Sequence, residues 1–284
     1  MRFAYYPGCS LKGTGKAYEK STLAVFKALG LELIEIPEWN CCGATAYMAV
    51  DELASEVLSF RNLVLAQRMG LQRVVAPCSA CYLNLLKARK AFLSNDPKRE
   101  RLCSALKRAG WEYDCSALPE VLHPLQVFTE IVGLEKIKER IRRPLKGLKI
   151  VPYYGCQLVR PYDGYDDPIY PVKMDLLLEL TGAEIISDYP LKTRCCGASL
   201  TGTIEEAGVR LNELLITEAK RRGGNVMSTL CALCQFNLEM YQGKMKVNHK
   251  MPVLYFTQIL GLALGLGEKE LGMEHLLYRP SLEV

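Results

Sequence analysis

Ten cysteines repeat one arrangement. Cys9, the adjacent pair Cys41–Cys42, and Cys78 with Cys81 form C-x31-CC-x35-CxxC. Cys156, the pair Cys195–Cys196, and Cys231 with Cys234 form C-x38-CC-x34-CxxC. The flanks agree as well: "YYPGCS" with "YYGCQL", "CCGAT" with "CCGAS", and "PCSAC" with "LCALC". Agreement at three landmarks in order marks an internal repeat. Neighbouring cysteines bridge to one another badly, because the disulfide closes a strained ring around their peptide bond. Thiolates are good ligands for iron–sulfur groups, zinc and copper(I). A single zinc takes four ligands, commonly in two spaced pairs. Five cysteines with two adjacent suit a multi-iron site better, since several irons offer several binding directions. Zinc in one pocket, a thioredoxin-like dithiol at CxxC, and disulfide stapling are the competing readings. The dithiol leaves the CC pairs without a role.

The periodicity supplies the elements that must position these groups. "RFAYY" (2–6) reads as a strand, followed by Cys9 and a helix over about 16–29. A strand at 31–37 runs into the first CC pair, with a helix over 50–69 beyond it. A third strand at 73–77 leads into CxxC and a helix over 79–93. The second copy repeats the order: strand 148–154, helix 169–181, strand 183–187, the CC pair, helix 204–222, strand 225–229, CxxC, helix 235–242. The ends match too, "FTEIVGL" (128–134) with "FTQILGL" (256–262), each after a short strand. Strands alternating with helices predict an α/β fold with right-handed crossovers. It is read as two pseudo-repeated, Rossmann-like parallel-sheet halves, residues 1–147 and 148–284, the first with a helical insert. Each cysteine landmark follows a strand, so each set should meet at one carboxyl edge, where open α/β sheets build their sites. CxxC also opens a helix, whose dipole favours thiolate.

The chain has 284 residues, 49% of them apolar, enough for a large packed core. A net charge of +5 makes no case for nucleic acid. The basic run 136–149 reads as a solvated helix end and linker. The most apolar stretch, 251–267, is short for a membrane span and contains Thr257 and Gln258, so it reads as a buried strand plus helix. The start of the chain lacks a long apolar segment, which predicts a cytoplasmic protein, associated with a membrane only through partners. Disulfides are rare there, and twelve cysteines then point to metal or redox chemistry.

Cys103 and Cys115 lie in the insert 97–118 without counterparts and read as structural. His123 ends the "EVLH" run near the first carboxyl edge, where packing competes with tuning a metal centre or moving a proton. His249 and His275 carry no argument. Gly8, Gly43, Gly155 and Gly197 adjoin ligand cysteines, where backbone must turn sharply or approach a bound group closely. Lys12 and Lys16 follow Cys9, whereas Asp163, Asp166 and Asp167 follow Cys156. That contrast favours the first pocket for an anionic substrate and the second as relay; solvated loops are the plainer reading.

The tandem pattern, at this chain length, resembles the cysteine-rich-domain proteins typified by the B-type subunit of heterodisulfide reductase. With Gly43 after the first CC pair, it is most similar to the B-type subunit of sulfur-oxidising heterodisulfide reductase-like complexes. The second copy has x34 where the family pattern has 35 or 36. The resemblance implies one noncubane [4Fe-4S] cluster on Cys9, Cys41, Cys42, Cys78 and Cys81, and another on Cys156, Cys195, Cys196, Cys231 and Cys234. It implies an oxidoreductase acting on sulfur groups, a disulfide reductase or thiol/persulfide oxidase within a complex. The chain has no C-x2-C-x2-C-x3-C run, so cubane clusters must come from a ferredoxin-like partner, with a flavoprotein subunit beyond it. A lipoate-carrying sulfur carrier protein is the further partner that the sulfur-oxidising branch implies. The same domain occurs in lactate, glycolate and succinate oxidoreductases, where the corresponding role is electron transfer alone.

Overall fold

The computed structural model describes residues 1–44, 46–94, 97–113, 117–162, 165–246 and 250–281. Cys115, Asp163 and His249 lie outside the described residues. Eight strands form two four-stranded sheets: β1 (Arg2–Tyr5), β2 (Glu32–Glu35), β3 (Arg73–Val75) and β4 (Glu120–Leu122), then β5 (Lys149–Tyr153), β6 (Glu184–Ile185), β7 (Val226–Thr229) and β8 (Val253–Tyr255). Their orders are β2-β1-β3-β4 and β6-β5-β7-β8, and every pairing is parallel. Parallel strands are covered on both faces and need continuous apolar runs. Phe3, Ala4 and Tyr5 are buried in β1, as are all four residues of β7. In each sheet the strand order reverses beside the first strand, between β1 and β3 and between β5 and β7. Such a reversal opens a crevice at the carboxyl edge.

The helices cover these faces and mostly follow the predicted spans: Lys16–Ala28, Glu52–Arg68, Ser79–Leu93, Glu205–Arg221 and Ala232–Met240. Asp51 caps the second of them by accepting from the Ala54 N–H at 2.9 Å. The helix expected over 169–181 is shorter, Lys173–Glu179. Pro168 and Pro171 interrupt its expected first turn, and the Asp166 carboxylate accepts from the Val172 and Lys173 N–H groups at 3.1 and 2.8 Å. The insert holds the helix Lys98–Arg108, which buries Leu102 and Leu106, one turn apart. The 251–267 stretch is β8 plus the helix Phe256–Ala263, with all eight helical residues buried. Among the described residues no helix is long and apolar enough to cross a membrane.

The halves pack through matching elements. The Lys16–Ala28 helix lies on the Phe256–Ala263 helix, with Ser21 Oγ 2.7 Å from Thr257 Oγ1 and the Tyr18 ring stacked on Tyr255 at 4.2 Å. In the counterpart position the Lys173–Glu179 helix meets the π-helical segment Val127–Gly133, joined by Lys173–Glu130. One continuous apolar core therefore runs through both halves.

Candidate metal centre

The three landmarks of each copy sit just beyond three neighbouring strands. Cys9 lies in the short helix Gly8–Lys12 after β1, the first CC pair follows β2, and Cys78 precedes the helix Ser79–Leu93 after β3. Cys156, Cys195–Cys196 and Cys231 occupy the same places after β5, β6 and β7. The fold therefore brings all ten predicted cysteines to the two crevices. Eleven cysteines are described, and all are free thiols.

In the first pocket Cys42 Sγ lies 3.4 Å from Cys81 Sγ, with Cys41 and Cys78 close enough to shift their titration. In the second, Cys196 Sγ lies 3.4 Å from Cys234 Sγ, with Cys156, Cys195 and Cys231 close enough to shift one another's titration. These separations are far beyond a disulfide bond of about 2.05 Å. Cys78 and Cys231 lie within electrostatic reach of each other across the boundary between halves. Cys9 closes the outer end of the first pocket within electrostatic reach of Cys41. The two pockets therefore adjoin through Cys78 and Cys231, where spacing alone suggests two separate sites. Of the ten, Cys9 and Cys195 are exposed and Cys41 and Cys156 half-buried, while Cys42, Cys78, Cys81, Cys196, Cys231 and Cys234 are buried.

Crowding makes these thiols share protons. S–H donation from Cys41 and Cys81 pulls Cys42 down to about 4. Cys156 and Cys196 do the same for Cys195, down to about 2, and Cys234 and Cys78 hold Cys231 low. The donors move oppositely: Cys41 is raised, and Cys196 is pushed up to about 12, first by the neighbouring Cys195. A thiophilic metal displaces those protons and relieves the conflict. Among the described residues no three His, Cys, Asp or Glu side chains converge as the ligands of one ion do.

The backbone is shaped around the sulfurs. Gly8 and Gly155 have φ of +69° and +68°, and a Cβ on them would stand 2.9 Å from Cys81 Sγ and 3.2 Å from Cys234 Sγ. An all-thiol donor set cradled by glycine fits an iron–sulfur group, with five candidate ligands in each pocket. Supports that were not singled out in the sequence recur in both copies. Tyr6 donates to the Asn40 carbonyl at 2.8 Å and Tyr153 to the Arg194 carbonyl at 2.6 Å, each just before a CC pair. Asn84 donates to the Cys42 carbonyl at 3.0 Å and Asn237 to the Cys196 carbonyl at 2.7 Å. The signal was present: each asparagine stands three residues after a CxxC, and each tyrosine two before the glycine.

Gly43, after the first CC pair, has φ +76°, and a Cβ there would lie 2.5 Å from Ser55 Oγ. Gly43→Ala is therefore expected to destabilise the protein by about 1–3 kcal/mol and loosen the first pocket. Thermal unfolding together with metal content measures both effects.

The charge contrast read from the sequence is offset in part by folding. Lys12 is held by Glu19 and Glu35 at 2.7 and 2.8 Å, and its field is largely cancelled. Asp166 and Asp167 serve as acceptors for backbone N–H groups. Arg160, which bonds the Thr193 carbonyl, instead contributes positive charge near Cys195. Cys103 is partly buried against the core from the insert helix. His275 pairs with exposed Glu274. His123 is fully buried, and burial pushes it down to about 4, so it is neutral near pH 7.

Two parallel sheets with a cysteine set at each switch point define a tandem cysteine-rich-domain protein. The profile described as "CCG: Cysteine-rich domain" matches residues 3–86 and 150–239, so the chain belongs to that family. It is 34% identical over 96% of its length to the 8-methylmenaquinol:fumarate reductase membrane anchor subunit of Wolinella succinogenes, covering 95% of that protein. It is 32% identical over 96% of its length to the B-type subunit of the ferredoxin/F420H2-dependent CoB-CoM heterodisulfide reductase of Methanosarcina acetivorans, covering 92% of it. Among solved structures, a hypothetical protein from Helicobacter pylori superposes with a TM-score of 0.75 at 15% identity over 98% of this chain. The chain spans about half, 52%, of that structure, and the likeness is one of fold.

Proposed function

We propose that this chain is the iron–sulfur redox subunit of a multi-subunit oxidoreductase, with one noncubane [4Fe-4S] cluster in each pocket. The module 1–147 contributes Cys9, Cys41, Cys42, Cys78 and Cys81; the module 148–284 contributes Cys156, Cys195, Cys196, Cys231 and Cys234. The observation that carries this reading is the five cysteines gathered at the carboxyl edge of each sheet, with buried Cys42–Cys81 and Cys196–Cys234 contacts of 3.4 Å and an exposed Cys9 or Cys195 at the rim. Such groups supply one-electron chemistry at sulfur. Disulfide reduction consumes two electrons and two protons and yields two thiols, so paired one-electron centres in contact suit it. The reverse reaction oxidises thiols and returns the electrons to a partner, and the direction follows the relative potentials. The chain's own residues hold the site: the glycines keep space beside the sulfurs, and Tyr6, Tyr153, Asn84 and Asn237 tie down the CC backbone. Electrons are exchanged with a ferredoxin-like subunit and, through it, a flavoprotein; a lipoate-carrying protein is the candidate sulfur donor.

The Wolinella relative favours a second reading, in which the subunit only relays electrons for a succinate or fumarate type flavoenzyme. Anaerobic purification is expected to give roughly eight irons and eight sulfides per chain; stoichiometric zinc with little iron refutes both readings. Adding a disulfide to the reduced isolated chain separates them. A spectral change at one centre supports sulfur chemistry. An unchanged spectrum, with electrons passing only to a flavoprotein, supports the relay.

A further inference from the structure

His123 belongs to the first half, yet it bonds to the cysteine loops of both. Its Nε2 lies 2.8 Å from the Pro77 carbonyl and 3.1 Å from the Leu230 carbonyl. Pro77 directly precedes Cys78, and Leu230 directly precedes Cys231, the first cysteines of the two CxxC motifs. The tautomer follows from the other nitrogen. Nδ1 accepts from the Leu125 N–H at 3.1 Å, so the single proton of the neutral ring is on Nε2 and is shared between the two carbonyls. The ring cannot swing away: Phe256 stacks against it and Tyr82 meets it edge-on, each with centroids 6.0 Å apart. The Leu230 carbonyl also receives Tyr18 Oη at 3.1 Å and Ser79 Oγ at 3.2 Å, both from the first half. The junction is therefore a hydrogen-bonded seam.

The repeat makes the residue conspicuous. Tyr255 ends β8 where His123 ends the matching run, and it does not reproduce the bridge. Its hydroxyl donates to Gln235 Oε1 at 3.3 Å within its own half, and its ring stacks on Tyr18. One side chain thus does for both loops what symmetry would have assigned to two.

We propose that His123 is a positioning residue that fixes the two CxxC loops relative to one another and so sets the electronic coupling between the two metal centres. The inference rests on the reading that both pockets hold clusters. A rigid, buried donor shared by two carbonyls defines the distance between the loops, and small changes at their first cysteines alter the contact between centres. Packing alone would need only the shape of the ring.

Two variants separate the hydrogen bond from the shape. In His123→Asn the shorter side chain can still cap the Leu125 N–H, as asparagine does at helix starts, but it withdraws the shared donor. In His123→Gln the amide N–H can reach the position of Nε2. Both are purified anaerobically beside the wild type and compared by iron content, by the magnetic interaction between the two reduced centres, and by their midpoint potentials. The proposal expects His123→Asn to lose the inter-centre interaction and shift the potentials, with His123→Gln recovering both. Iron loss in His123→Asn with retention in His123→Gln also supports it, because the donor is what differs. Wild-type spectra in both variants overturn it. Equal damage in both, whether to spectra or iron content, also overturns it and reduces His123 to packing. A wild-type preparation with full metal in only one pocket refutes the two-cluster reading itself, and is recognised before any variant is compared.

Discussion

Cys42→Ser is expected to remove about half of the bound iron, the share of the first pocket, and to leave the spectrum of the second centre unchanged. Cys42 is buried, its Sγ lies 3.4 Å from Cys81 Sγ, and neighbouring Cys41 and Cys81 pull its thiol down to about 4. Serine places a harder oxygen with a much higher pKa where the structure favours a soft anion. Cys196→Ser is the counterpart in the second pocket. Cys231→Ser should behave differently, because Cys231 lies within electrostatic reach of Cys78 of the other half. It is expected to deplete the second pocket and also disturb the signal of the first. Cys103→Ser changes neither, since Cys103 sits on the insert helix. Iron and sulfide analysis with electron paramagnetic resonance on the set checks the assignment. Metal loss in Cys103→Ser, or full metal in Cys42→Ser, would show the ligands to be wrongly chosen.

Lys192→Met is expected to cost the fold about 3–5 kcal/mol, the usual penalty for stranding one member of a buried ion pair. Lys192 has no exposed side-chain surface and Asp175 only 4%, with Nζ 2.5 Å from Oδ2. The pair is bonded further: Tyr154 donates to Asp175 at 2.7 Å, and Lys192 donates to the Pro171 carbonyl at 3.1 Å. Three residues on from Lys192 stands Cys195, so this pair anchors the segment entering the second CC turn. Burial already raises the Asp175 carboxyl, outweighing the opposing effect of the lysine. Without the lysine it rises further. A folded-state pKa above the unfolded value means stability that is present at low pH and lost as pH rises through the folded pKa. The deficit of Lys192→Met should therefore shrink on acidification, and Lys192→Met/Asp175→Asn should recover much of it. Denaturant unfolding at two pH values tests this; a deficit independent of pH would mean that lost packing, not the stranded carboxylate, is the cause.

The two cysteine sets, their order after successive strands, and the doubled α/β architecture were all legible in the sequence. Each rests on local spacing: apolar periodicity within an element, and a cysteine a few residues past a strand. The buried strand-helix at 251–267 was legible for the same reason, since its length and its two polar residues argue against a span. The start of the Lys173–Glu179 helix was not, because a carboxylate several residues upstream outcompetes the periodic signal for its first N–H groups.

Only the tertiary structure decided how the two sets stand to each other. Cys78 and Cys231 come within electrostatic reach across the boundary between halves, and nothing in the spacing within a repeat encodes that. His123 bridges to a carbonyl 107 positions away, and Lys12 is neutralised in part by a glutamate 23 positions away. A charge or a donor seen in sequence has a field and a partner only once the chain has closed around it. Ligand type is a property of the residue and survives unfolding, whereas coupling depends on the distance between groups and exists only in the fold.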